Sequence, residues 1–207
     1  MTLGRVEISR GFLFLAAWLF YRDRSGLVWM AFLACVLHEL GHLAALHLLG
    51  IHVCRVRVTV FGARMELCGG ASYPRELAAA AAGPLVNLVL AYACCRCAPL
   101  RLFAGANLAL AAFNLLPVGE LDGGRILDCL LHLLCPDRTA ARMRAAVGVL
   151  CGAVFLSCAL TAALTGGNAT LCLVCLWLFT RQGEEKRFQF LKKERNRSCH
   201  GIGKRLE

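Results

Sequence analysis

Charge is what this chain has little of. Only 17% of its 207 residues are Asp, Glu, Lys or Arg, 58% are hydrophobic, and the mean hydropathy is +0.62. An ordinary soluble domain carries about 25% charged residues, so that class is excluded. Paired cysteine spacing is also missing. Thirteen cysteines are scattered through apolar runs. They read as small packing residues in a reduced, membrane-buried setting rather than as a disulfide scaffold. Cys172 and Cys175 make a lone CxxC with no second pair, which argues against a zinc knuckle. The first apolar run, 11–21, has no small-residue cleavage site with a mature domain behind it, so it reads as a span and not a signal peptide. The net charge of +10 would suggest nucleic acid in a soluble protein. Its distribution fits a membrane better, and no nucleic-acid partner is expected.

Apolar runs that approach or reach spanning length are what the chain does have, the first of them short for a span. They predict an all-α polytopic membrane protein of about six transmembrane helices, over 11–21, 27–49, 76–97, 102–116, 145–164 and 169–180. A shorter helix over 126–135 would lie in the interface. Between the second and third spans the period changes. Cys54, Val56, Val58 and Val60 alternate with Arg55, Arg57 and Thr59. After Phe61 and Gly62, the residues Ala63, Met65 and Leu67 alternate with Arg64, Glu66 and Cys68. This is the pattern of a short membrane-associated β-hairpin. A strand edge cannot face lipid, so the hairpin belongs at the surface or within protein. It is either a connector or an edge on which an extended substrate docks. Residues 1–10 read as a polar lead. Residues 181–207 read as a basic tail, either solvated or lying on anionic lipid.

Six spans put both termini on one side. With that side in the cytoplasm, the inner segments carry 19 of the 23 Lys and Arg, and the outer ones only Arg22, Arg24, Arg96 and Arg101. The bias supports this orientation.

The polar exception inside the second span is His38, Glu39, Leu40, Gly41 and His42. Ionisable groups at such depth are costly and need partners. Four residues apart on a helix, His38 and His42 share a face and can hold one ion. Zinc accepts imidazole nitrogen, and a catalytic site keeps one position open for water. Glu39 stands beside that position, able to take a proton from the water and give it to the leaving amine. This is the HExxH pattern of zinc proteases. A catalytic site needs a third protein ligand. His47 points to another face, Cys35 lies one turn before His38, and Glu66 and Glu76 are available downstream. Asp122 is the best candidate, flanked by glycines between apolar spans at the depth of the histidines.

With those residues in view, the chain resembles the site-2 protease family of intramembrane zinc metalloproteases. The motifs that carry the likeness are HELGH at 38–42, AAGPLVN ending at Asn87, and NLLPVGELDGGR from Asn114 to Arg125. Within the family it looks most like the six-helix branch of stage IV sporulation protein FB. That branch cleaves membrane-associated precursors, a sporulation sigma-factor precursor among them. The resemblance implies His38, His42 and Asp122 as ligands of one Zn2+ per chain, with Glu39 as the catalytic base. It makes Asn87 and Asn114 candidates for binding substrate. It also implies an intramembrane metalloprotease domain over 1–180, in the bacterial cell membrane, with the basic tail in the cytoplasm. No PDZ domain interrupts the chain and no regulatory CBS domain is expected after the sixth helix. The expected partners are the lipid bilayer and a membrane-spanning or membrane-tethered protein substrate. The oligomeric state is not set by the sequence. The competing class is a non-catalytic membrane protein that binds metal or client proteins. A transporter would want ligands spread along a path, and an inactive relative would be expected to lose Glu39.

Overall fold

The computed structural model describes residues 2–3, 6–59, 62–68, 71–119 and 121–164. In chain order its elements are β1 (Thr2–Leu3), β2 (Val6–Ile8), α1 (Arg10–Arg22), α2 (Leu27–Leu48), β3 (Val53–Thr59), β4 (Gly62–Leu67), α3 (Tyr73–Cys94), α4 (Arg101–Asn114), α5 (Asp122–Leu134) and α6 (Asp137–Leu164). The expected sixth span over 169–180, the basic tail and the boundary at 180 lie outside the described residues.

The helices sort their side chains by a logic opposite to that of a soluble protein. Most buried positions go to small and polar residues, Ala34, Ala80 and Ala111 with Asn87 and Asn107 among them, while Leu46, Phe103, Val118 and Leu131 are larger apolar exceptions. Large apolar residues face outward, with Phe14 76%, Leu48 84% and Tyr92 78% exposed. Alanine and glycine at helix contacts let backbones approach closely, and the outward residues suit lipid rather than water. α3 is the central helix, packed against α2, α4 and α5. α6 rests on α5, and α1 touches α2 and β3.

Among the described residues, α2 and α3 are the two helices long and apolar enough to cross a membrane. A span takes about 20 residues. α1, α4 and α5 have 13, 14 and 13. About six full spans are therefore not found within the described residues. α1 and α4 keep close to the expected 11–21 and 102–116: Ser9 and Asp23 bound α1, and the 3-10 turn Ala98–Leu100, which contains Pro99, precedes α4.

The β component is larger than a hairpin, so the chain is mostly helical rather than all-α. Four strands form one sheet in the order β1-β2-β3-β4. β3 and β4 pair antiparallel, as the alternation predicts, with Val56 opposite Met65. β2 pairs parallel to β3, with Val6 opposite Val56 and Ile8 opposite Val58. The supposed polar lead thus supplies two strands. Their partner lies some fifty residues away, and a three-residue strand carries no period of its own. Glu7 fixes the join, receiving Arg57 at 2.9 Å and Arg55 at 3.6 Å.

Two further expectations change here. β3, which was to offer its edge to substrate, is enclosed by β2 and β4, and β4 is the outer strand on that side. Cys54 and Cys68, expected as free thiols, form a disulfide. The hairpin brings them together because the β3–β4 register shifts between Val53 and Arg55, and the amide of Cys68 donates to the carbonyl of His52. The parallel β2–β3 pairing also places the chain before α1 and the chain after α2 on one side of the helices.

Candidate metal centre

α2 presents the histidines, and both of its ends are fixed. At the start, Asp23 accepts from the amide and hydroxyl of Ser25 and from the amide of Val28. The Ser25 hydroxyl, with these amides, holds the Asp23 carboxyl below its usual range. At the end, Ile51 donates to the carbonyl of Leu46 and Gly50 to that of His47, with Gly50 at φ 68°. This is a Schellman stop with its left-handed glycine.

His38 and His42 lie one turn apart, buried at 5% and 7% exposure. Each ring is held from behind. His42 Nδ1 lies 2.8 Å from the carbonyl oxygen of Ala79, and His38 Nδ1 lies 3.1 Å from Oδ1 of Asn87. A carbonyl oxygen can only accept, so each Nδ1 carries the hydrogen and each Nε2 presents a lone pair. The two Nε2 atoms are 3.2 Å apart. Oδ2 of Asp122 lies 3.0 Å from that of His38 and 3.2 Å from that of His42.

Three acceptors this close repel one another unless a cation sits among them. Zinc lies about 2.0–2.1 Å from such atoms. Three protein ligands are also the number that a catalytic zinc site takes, with a further position kept for water. The donor set of two imidazoles and a carboxylate also suits zinc. The residues therefore fit the ion, and among the described residues these three are the group that could hold one.

Close backbone approach builds the cradle. A Cβ on Gly83 of α3 would overlap the ring of His42, and a Cβ on Gly41 would lie 2.9 Å from Val86 Cγ2. Asp122 opens α5, where a carboxylate is favoured by the helix dipole. The turn from α4 folds back on that first turn so tightly that a Cβ on Gly123 would overlap the carbonyl of Leu115.

The other candidates fall elsewhere. Glu39 is half-buried beside His38 on α2. His47 and Cys35 are exposed. Glu66 is exposed on β4, 3.7 Å from Arg57, and Glu76 is half-buried in the first turn of α3. Asn114 is half-buried at the end of α4. Asn87 stands behind His38 and lends it the amide oxygen. Ala79 acts through its carbonyl, which no side-chain motif can announce. Gly83 was visible only as part of a small-residue stretch.

Residues 96–158, which include Asp122, match the model of peptidase family M50. Stage IV sporulation protein FB of Bacillus subtilis is 32% identical over 136 residues, covering 61% of this chain and 47% of that protein. A protein of Synechocystis sp. with the provisional name of zinc metalloprotease is 34% identical over 114 residues, covering 49% of this chain and 30% of its own length. The chain thus spans less than half of either relative. Among solved structures, the site-2 protease from Methanocaldococcus jannaschii superposes with a TM-score of 0.65 at 24% identity, over 89% of this chain and 93% of that one. That likeness is one of fold.

Proposed function

We infer that this chain, which belongs to the site-2 protease family (peptidase family M50), is an intramembrane zinc endopeptidase. The observation that carries the reading is the buried triangle of His38, His42 and Asp122, whose lone pairs converge and need a cation. Bound there, zinc would polarise a scissile carbonyl and make water nucleophilic at neutral pH. Glu39 is the general base: it accepts the proton of the attacking water and returns it to the leaving amine. His38, His42 and Asp122 hold one ion per chain, and Asn114, at the approach to the aspartate loop, holds substrate backbone.

The substrate is a membrane-spanning or membrane-tethered protein. Its helix must unwind at the cut, because helical hydrogen bonds shield the peptide carbonyl. The extended segment then pairs with the outer edge of β4 by strand addition. A sigma-factor precursor or an anti-sigma factor fits this class, and the relation to stage IV sporulation protein FB suggests a role in sporulation. The charge bias supports an orientation with both termini in the cytoplasm, and the likeness to stage IV sporulation protein FB of Bacillus subtilis suggests a bacterial cell membrane. Residues 1–180 form the protease domain.

The test is co-reconstitution with a tethered substrate. Glu39→Gln should abolish cleavage while leaving zinc bound. Normal cleavage by that variant would remove Glu39 from its role. Wild-type protein that holds zinc and binds clients but cuts none would favour the non-catalytic reading.

A further inference from the structure

Two buried polar atoms have no partner among the described residues: Nδ2 of Asn87 and Oδ1 of Asn107. Both residues are 0% exposed. A buried polar group left unpaired costs about 1–3 kcal/mol, so two of them in one small interface call for an explanation. Neither can be removed by turning an amide over. Asn87 must aim its oxygen at the donor Nδ1 of His38, which leaves its NH2. Asn107 donates its NH2 to the carbonyl of Phe103 at 2.8 Å, which leaves its oxygen. One orphan is therefore a donor and the other an acceptor.

Both also stand at similar distances from the connection that joins their helices. α3 and α4 pack together and are joined by a short connection, so they run antiparallel. Asn87 stands seven residues before Cys94, the last residue of α3, and Asn107 six after Arg101, the first of α4. At 1.5 Å per residue, they stand about 10 Å and about 9 Å along their helices from those two ends.

We infer that Asn87 and Asn107 form one buried amide relay, closed through a single shared water, that orients the His38 ring and so sets metal affinity. The relay runs from the Phe103 carbonyl through Asn107 and Asn87 to His38, tying α4 and α3 to a ligand on α2. Asn87 and Asn107 are positioning residues, acting on the ion through His38. Partners behind a ligating histidine fix its ring and tautomer, and losing one costs about 10–100-fold in metal affinity. The inference rests on the metal reading above but not on proteolysis.

The experiment is zinc titration against a competing chelator, on the full chain in detergent. Asn87→Leu should weaken zinc binding about 10–100-fold. Asn107→Leu, which touches no ligand, should weaken it in the same direction by a smaller factor. The double variant should bind no worse than Asn87→Leu alone, because one broken relay cannot be broken twice. Asn107→Ser keeps an acceptor oxygen with room for a water and should recover part of the loss, even if the leucine variant does not fold. A purely structural role for Asn107 would alter unfolding but not zinc affinity. Folded Asn107→Leu and Asn107→Ser that both bind zinc as wild type does would overturn the relay, as would single effects that multiply in the double variant. Wild-type protein that binds no zinc would remove the metal reading itself, and the relay with it.

Discussion

At the scale of single residues, the site depends on what stands behind the ligands as much as on the ligands. Gly83 has no space for a side chain, because a methyl group there would meet the His42 ring. Overpacking of this kind costs about 1–3 kcal/mol. Gly83→Ala should therefore lower thermal stability and weaken zinc binding about tenfold or more, read by chelator competition. Unchanged affinity would show that the ring has room to move. His38, His42 and Asp122 were legible in the sequence because polar residues in an apolar context are conspicuous. The carbonyl of Ala79 was not, since any residue carries one. Asn87 was visible as a buried amide but read as a substrate group, because nothing in its spacing shows that it faces His38.

At the scale of elements, α1 to α5 were legible to within about four residues, α6 starts at Asp137 rather than at the expected 145, and the sheet was legible only in part. The β3–β4 hairpin alternates and so announces itself. β1 and β2 do not, because they are two and three residues long and join the sheet only through the non-local pairing of β2 with β3. The Cys54–Cys68 bridge was hidden for the same reason: pairing depends on register, and the spacing of cysteines alone does not give it. A bridge closing a loop of this size contributes about 3 kcal/mol in the chain-entropy picture. Cys54→Ser should therefore speed amide exchange in β3 and β4 while leaving zinc content unchanged. Slow exchange in that variant would mean the strands hold without the bridge. A second test concerns α5, which carries Asp122. Arg144 on α6 lies 3.2 Å from Asp128 on α5. His132, one turn on, donates to the Asp128 carbonyl and stacks on Tyr73 of α3 with ring centroids 5.1 Å apart. The Arg144 pair is part-buried, so Arg144→Ala should cost no more than about 1 kcal/mol in thermal unfolding. A loss of several kcal/mol would mark it as the main clamp on α5.

At the scale of the whole molecule, the inside-out distribution of side chains predicts integral membrane behaviour. The chain should stay with the membrane in alkaline carbonate, and its release into the supernatant would contradict the reading of the exposed apolar faces as lipid contacts. Composition alone carried that much. It did not fix the number of spans, because apolar runs as short as 11–21 and 102–116 form helices of 13 and 14 residues, under the length of a span. The β2–β3 pairing puts the chain before α1 and the chain after α2 on one side, as an even number of crossings between them requires.

The central claim is that His38, His42 and Asp122 hold a catalytic zinc ion. The most direct measurement is zinc per chain in detergent-purified protein, for wild type, Asp122→Ala and Glu39→Gln. About one zinc in wild type and in Glu39→Gln, with loss in Asp122→Ala, is the predicted result, since a catalytic site takes three protein ligands and Glu39 is not one of them. Full zinc in folded Asp122→Ala, or none in folded wild type, would contradict it.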